Sequence, residues 1–105
     1  MENTSSIYRI AQDYKYVDED WWKWWVWIEA PDADLDKIHY VIYTLHFSFN
    51  NPVRKVEDRA SKYRLSTEGW GVFTLFGRLY LKDSSEVALT HDLVLMYPDG
   101  KENLK

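Results

Sequence analysis

Nine residues near the start of the chain, Trp21-Trp22-Lys23-Trp24-Trp25-Val26-Trp27-Ile28-Glu29, leave little choice of secondary structure. Ring-bearing and β-branched side chains suit a pleated, half-buried surface. Successive side chains of a strand point to opposite sides, so Trp22, Trp24, Val26 and Ile28 share one face and Trp21, Lys23, Trp25 and Trp27 the other. The first face is expected to be core. On the second, Trp25 and Trp27 are either covered by a neighbouring segment or exposed as an interaction patch. The bias extends along the chain, 17% of which is aromatic, so β structure is expected throughout and not every ring can be internal.

The rest of the pattern agrees. Ile7 to Val17 mixes apolar and polar residues without a clean period and reads as a short edge strand, ended by Asp18-Glu19-Asp20. After a turn at Ala30-Pro31-Asp32-Ala33-Asp34, a strand is expected over Leu35 to Leu45, with Val41, Tyr43 and Leu45 alternating against Tyr40, Ile42 and Thr44. A brief helical turn is the alternative for Asp34 to Lys37. Short strands over Val53 to Val56 and Tyr63 to Leu65 flank a polar loop. Val72 to Leu81 is the longest alternating strand, with Phe73, Leu75, Gly77, Leu79 and Leu81 against Val72, Thr74, Phe76, Arg78 and Tyr80, and Asp83-Ser84-Ser85 turns it into a hairpin with Val87 to Met96, where Val87, Leu89, His91, Leu93 and Leu95 share a side; Val41, Tyr43, Leu45, Phe73, Leu75, Leu79, Leu89, Leu93 and Leu95 are expected to join the core. Pro98-Asp99-Gly100 closes the structured region. Short strands at regular spacing, with no sustained helical period, predict an all-β fold: an immunoglobulin-like antiparallel β-sandwich of about seven to eight strands. A small closed barrel is the second architecture compatible with the alternation.

A chain of 105 residues can bury one core, so a single domain over 1–105 is expected, with flexible ends at 1–6 and 99–105 and a solvated tail to Lys105. The chain has no Cys, which removes disulfides, thiolate metal sites and thiol nucleophiles and leaves stability to packing. Met1 to Asp20 lacks the apolar centre of a signal peptide and no run approaches a membrane span, so a cytoplasmic protein without membrane insertion is expected. The formal net charge of −4 argues against direct nucleic-acid binding, because phosphate neutralisation requires a basic surface.

Two segments carry candidate chemistry. Leu45-His46-Phe47-Ser48-Phe49 ends one apolar strand pattern, and Gly69-Trp70-Gly71-Val72-Phe73 opens another. His46 and Ser48 lie two apart, so in extended backbone they point the same way, while Phe49 begins the turn into Asn50-Asn51-Pro52. A ring, a hydroxyl and an imidazole would converge. Gly69 and Gly71 let the backbone approach a ligand or adopt a positive φ, and leave amide N–H groups unshielded.

In the order Leu45-His46-Phe47-Ser48-Phe49-Asn50-Asn51-Pro52-Val53-Arg54, Gly69-Trp70-Gly71-Val72-Phe73 and His91-Asp92-Leu93-Val94-Leu95, the chain resembles the YEATS domain, from about Trp24 to Leu95. The compact length, the Trp-rich strand and Ile28-Glu29-Ala30-Pro31 are more similar to the prokaryotic branch. Asn50 departs from the family's usual proline, and Trp21 and Trp22 are the candidates for a further aromatic wall. The resemblance implies an immunoglobulin-like sandwich that reads acetyl-lysine or longer acyl-lysines. It implies that Phe49 and Trp70 sandwich the acyl amide, with Phe73 and Gly69 beside them. Ser48 would accept the amide N–H, His46 would orient that hydroxyl, and the backbone N–H of Trp70 or Gly71 would meet the acyl carbonyl. Asp92 would attract a flanking basic residue. The physics is coherent, since acylation removes an ammonium charge that is costly to desolvate between rings and leaves a flat amide that stacks. An acylated peptide or protein is therefore the expected partner, and no cofactor is implied.

Other readings stand beside this one. Phe49 and Trp70 could simply cap the sandwich. Ser48, His46 and Asp92 suggest a hydrolase triad, but residue types alone supply neither an oxyanion hole nor a histidine held by the acid, so no enzyme is expected. His39, His46 and His91 match no common metal-ligand spacing. A prokaryotic interaction or signalling scaffold without acyl-lysine binding, and a carbohydrate-binding module stacking sugars on Trp25 and Trp27, are the alternatives.

Overall fold

A computed structural model describes residues 7–104, so the expected disordered start at 1–6 lies outside the described residues. The alternating strands form as β1 (Arg9–Asp18), β2 (Trp21–Glu29), β3 (Ile38–Thr44), β4 (Val53–Val56), β5 (Leu65–Gly69), β6 (Thr74–Leu81) and β7 (Glu86–Asp92). They pair antiparallel in two sheets, one in the order β1-β2-β5 and one in the order β4-β3-β6-β7. Two separate sheets exclude the closed barrel. Among the described residues no helix is long and apolar enough to cross a membrane.

Side-chain parity builds the core. Trp22, Trp24, Val26 and Ile28 of β2 are fully buried and meet Val41, Tyr43, Leu75 and Leu79 of the other sheet in one cluster. Leu45, Leu93 and Leu95 extend it, and Phe73 and Leu89 pack at its margin. The expected inward faces are therefore the observed ones. β1 shows why its sequence lacked a clean period. Ile10, Gln12, Tyr14 and Tyr16 stand opposite Ile28, Val26, Trp24 and Trp22, which puts a polar Gln12 on the inner side, and the register shifts between Tyr16 and Asp18.

Four boundaries differ from expectation. The alternative of a brief helical turn is what forms, two residues earlier than Asp34, as α1 (Asp32–Leu35), so Leu35 plugs the core from a helical turn and β3 begins only at Ile38. Tyr63 and Arg64 are not strand: after a 3₁₀ turn at Arg59–Ser61, Lys62 and Tyr63 both take left-handed backbone, with φ of 60° and 59°. Left-handed backbone is costly for a bulky residue, and here tertiary contacts hold it. The Tyr63 hydroxyl donates to Ile38 O, and Tyr63 O accepts from the Tyr43 hydroxyl. β6 starts at Thr74 rather than Val72 and β7 ends at Asp92, although Leu93 and Leu95 continue to fill the core.

The tail is not solvated throughout. A turn over Tyr97–Lys101 brings Met96 and Glu102 into a β-bridge and sets Asn103 in the interior at 2% exposure. The Trp22 indole N–H donates to Met96 O, so this segment closes over the same end of β2 that begins the core.

Candidate functional site

The loop between β3 and β4 is shaped by its own hydrogen bonds. Leu45 N–H donates to Pro52 O and closes its base, Phe49 N–H donates to His46 O within it, and Asn51 takes a left-handed φ of 51°. From the second residue of β4, the Arg54 guanidinium donates to the carbonyls of Asn50 and Asn51. The loop between β5 and β6 is tied from the other side, because the buried Asn103 side-chain amide donates to Trp70 O at 2.7 Å.

Between the two loops lies a cleft of about 400 Å³ lined by Trp21, His46, Ser48, Phe49, Asn50, Glu68, Gly69, Trp70, Gly71, Val72 and Phe73. Seven candidate residues are thus brought together: His46, Ser48, Phe49, Gly69, Trp70, Gly71 and Phe73. Asp92 is not in the lining. It stands opposite Thr74 in the β6–β7 ladder and accepts the Thr74 hydroxyl at 2.8 Å. Of the two candidates for a further wall, Trp21 lines the cleft and Trp22 is buried in the core against Tyr16 and Tyr97.

The rings differ in how they are held. Phe49 is half-buried, edge-on to Trp24 at 6.3 Å and tilted against Phe73 at 5.4 Å, and Phe73 also meets Trp24. These three rings make a packed aromatic floor. Trp70 is 55% exposed, and among the described residues no ring packs against it. Phe49 also lies against Gly69, where an added Cβ would come to 3.6 Å of its ring, an ordinary contact. Neither Gly69 nor Gly71 has a positive φ; Gly100 alone does among the described glycines.

The polar pair has a defined proton arrangement. His46 Nδ1 accepts the Ser48 backbone N–H at 3.2 Å, so it carries the lone pair and the neutral ring is protonated at Nε2. The Ser48 hydroxyl, 2.8 Å from Nδ1, therefore donates to it and keeps its oxygen lone pairs for another donor. Such a group can accept an amide N–H. The other histidines have separate surroundings: His39 lies edge-on to Tyr40, and His91 bonds Gln12. No group of three or more metal-ligating side chains gathers among the described residues.

Glu68, Asn50, Val72 and Asn103 were not foreseen. Glu68 directly precedes Gly69-Trp70-Gly71 and could have been placed by strand alternation once β5 was known to run to Gly69; its carboxylate accepts the Trp21 indole N–H at 2.7 Å. Asn103 had no local signal, since its role depends on a return of the tail.

Comparison with known proteins adds the following. A family model for the prokaryotic YEATS domain matches residues 22–94. The chain is 33% identical over 82 residues to Protein AF-9 homolog of Schizosaccharomyces pombe, a match that takes in 73% of this chain and 36% of that protein. The chain thus spans little more than a third of that relative's length. Among solved structures, it superimposes on the Yaf9 YEATS domain bound to H3K27ac with a TM-score of 0.66, at 22% identity, over 86% of this chain and 70% of that one. The Yaf9 YEATS domain recognizing an H3K122suc peptide gives a TM-score of 0.62 at 23% identity, over 82% and 68%. At such identities these structures establish a common fold, the immunoglobulin-like sandwich.

Proposed function

The chain belongs to the prokaryotic YEATS domain family, and from that premise we propose that its cleft takes the flat, uncharged acyl-amide of an acylated lysine in a peptide or protein partner. The observation that carries the reading is the arrangement of Trp70 and Ser48: a solvent-exposed ring and a hydroxyl with free lone pairs on one cleft over a packed aromatic floor. The acyl amide lies between the exposed Trp70 and the Phe49 ring of that floor, Ser48 Oγ accepts the acyl-amide N–H, and His46 keeps that hydroxyl oriented. A backbone N–H of Trp70 or Gly71 is the partner for the acyl carbonyl. Stacking of a planar group between rings contributes about 0.5–1.5 kcal/mol beyond buried area, and an unmodified ammonium would lose its hydration there without compensation.

The geometry supports recognition rather than turnover. YEATS domains are reader modules. In this site Ser48 meets the same histidine nitrogen that accepts a backbone N–H, and among the described residues no carboxylate bonds the other ring nitrogen. That is not a triad.

The reading is tested by titrating one lysine peptide in acetylated, crotonylated and unmodified form while following Trp fluorescence or backbone amide shifts. The acylated forms are expected to bind and the unmodified form to bind at least tenfold more weakly, about 1.4 kcal/mol. Equal binding of all three, or none by any at millimolar concentration, favours an interaction scaffold that does not use this cleft for lysine.

A further inference from the structure

We propose, resting on the acyl-lysine reading above, that Asn103 is a positioning residue of the cleft: through the Trp70 carbonyl it holds the Trp70 ring and the Gly71 N–H in the geometry that binds, so the tail sets the affinity of a site it does not line. The segment that does this is a strap tied at several points. Leu93 N–H donates to Phe73 O at 3.1 Å, the Trp22 indole N–H donates to Met96 O at 2.9 Å, and Asn103 N–H donates to Leu95 O at 2.8 Å. The Tyr97 ring seats the turn against Trp22, with ring centroids 4.9 Å apart. Asn103 is thereby delivered to the interior, where its side-chain amide reaches Trp70 O at 2.7 Å. The family match ends at residue 94, so Asn103 lies beyond it.

The cleft has reason to need such a tie. Trp70 is exposed, no ring packs against it among the described residues, and it stands between Gly69 and Gly71, which bring no side chains to stiffen the loop. Its placement therefore rests on its backbone. The Trp70 carbonyl and the Gly71 N–H belong to one planar, trans peptide unit, so holding the oxygen toward Asn103 turns the N–H the opposite way. A carbonyl that accepts a hydrogen bond also polarises its own peptide unit and makes the N–H at the other end a better donor. With Leu93 holding Phe73 O, the stretch from Trp70 to Phe73 is fixed at both ends before any ligand arrives. Preorganisation of this kind raises affinity by removing an ordering cost from the bound state.

The experiment compares the native protein with Asn103→Leu, similar in size but without a donor, and Asn103→Ala. Ile28→Val is the control, since it loosens the core at the far end of β2 from Trp22 and leaves the tail intact. Each protein is titrated by calorimetry with one acetyl-lysine peptide, well below its own melting temperature, and backbone nitrogen relaxation is recorded without ligand. Both Asn103 variants are expected to bind about threefold to tenfold more weakly than the native protein, the range that one hydrogen bond supplies, while Ile28→Val stays within about twofold. In the unliganded native protein the Trp70 and Gly71 amides should be as rigid as those of β6, with order parameters of about 0.85, and in the Asn103 variants they should fall toward about 0.6. Asn103 variants that bind within about twofold of the native protein, losses no larger than that of Ile28→Val at equal loss of melting temperature, or mobile Trp70 and Gly71 amides in the native protein each overturn the proposal while leaving the acyl-lysine reading intact. The last of these needs no variant to fold. If the native protein does not bind the acetylated peptide, the acyl-lysine reading itself fails and this role of Asn103 falls with it.

Discussion

Phe49 and Trp70 look equivalent as sequence, each an aromatic residue beside a turn, yet they are held differently. Trp70 projects from a loop at 55% exposure, whereas Phe49 is part of the packed floor with Trp24 and Phe73. Trp70→Ala is therefore expected to abolish acyl-peptide binding with little change in melting temperature, because an exposed ring contributes little to folding. Phe49→Ala should lose binding and also destabilise by about 1–3 kcal/mol, less than the full cost of emptying a buried Phe site because the ring is only half-buried. Ser48→Ala should weaken binding by about 0.5–1.5 kcal/mol with the fold intact. Measuring melts and titrations on the same samples separates these outcomes; an unfolded Trp70→Ala protein would make that ring structural. Nearby, the Trp24 indole N–H is buried without a hydrogen-bond partner among the described residues, a cost of about 1–3 kcal/mol that the surrounding ring contacts must outweigh.

At the scale of the elements, most strands were legible because one face of each is core and the period of two is exact enough to assign sides. The elements that were misjudged are those where backbone geometry breaks the period. A register irregularity between Ile38 and Tyr40 lets both Ile38 and Val41 face inward, though they differ in parity, and no local residue pattern announces such a bulge. Gln12 is a second case. On the inner side of β1, its amide Nε2–H donates to Val94 O and its Oε1 accepts both the Val94 N–H and the His91 Nε2–H, so a side chain joins the edges of the two sheets much as a backbone amide would. Burial lowers the affinity of His91 for a proton below the ordinary value of 6.5, with neighbouring Asp92 acting the other way. The unfolded chain then binds more protons than the folded one as pH falls through that value, so this contribution to stability is complete above about pH 6.5 and is lost progressively below it. Thermal melts from pH 7.5 to pH 5 should show a steeper acid decline for the native protein than for His91→Gln. Parallel profiles would mean that His91 titrates as though exposed.

Over the whole molecule, two sheets close on a single core whose largest members are Trp22, Trp24 and Tyr43. Leu75 lies fully buried in the middle of it, and Leu75→Ala should destabilise by about 2–5 kcal/mol in chemical denaturation, a large share of what a domain of this size possesses. A near-neutral result would reverse the facing of β6. The all-β class, the inward faces of β2, β6 and β7, and seven of the residues that line the cleft were legible in the sequence, because alternation and turn chemistry are local and the motif residues sit where strands end, whereas alternation left sandwich and barrel both open until the two sheets were seen. Tertiary structure alone decided the rest. It closed the tail over β2, placed Asn103 under Trp70, brought Glu68 and Trp21 together at the rim and left Asp92 outside it. Those outcomes depend on which strand ends become neighbours, and contacts between residues far apart in the chain are fixed by the packing of two sheets rather than by any period along one strand.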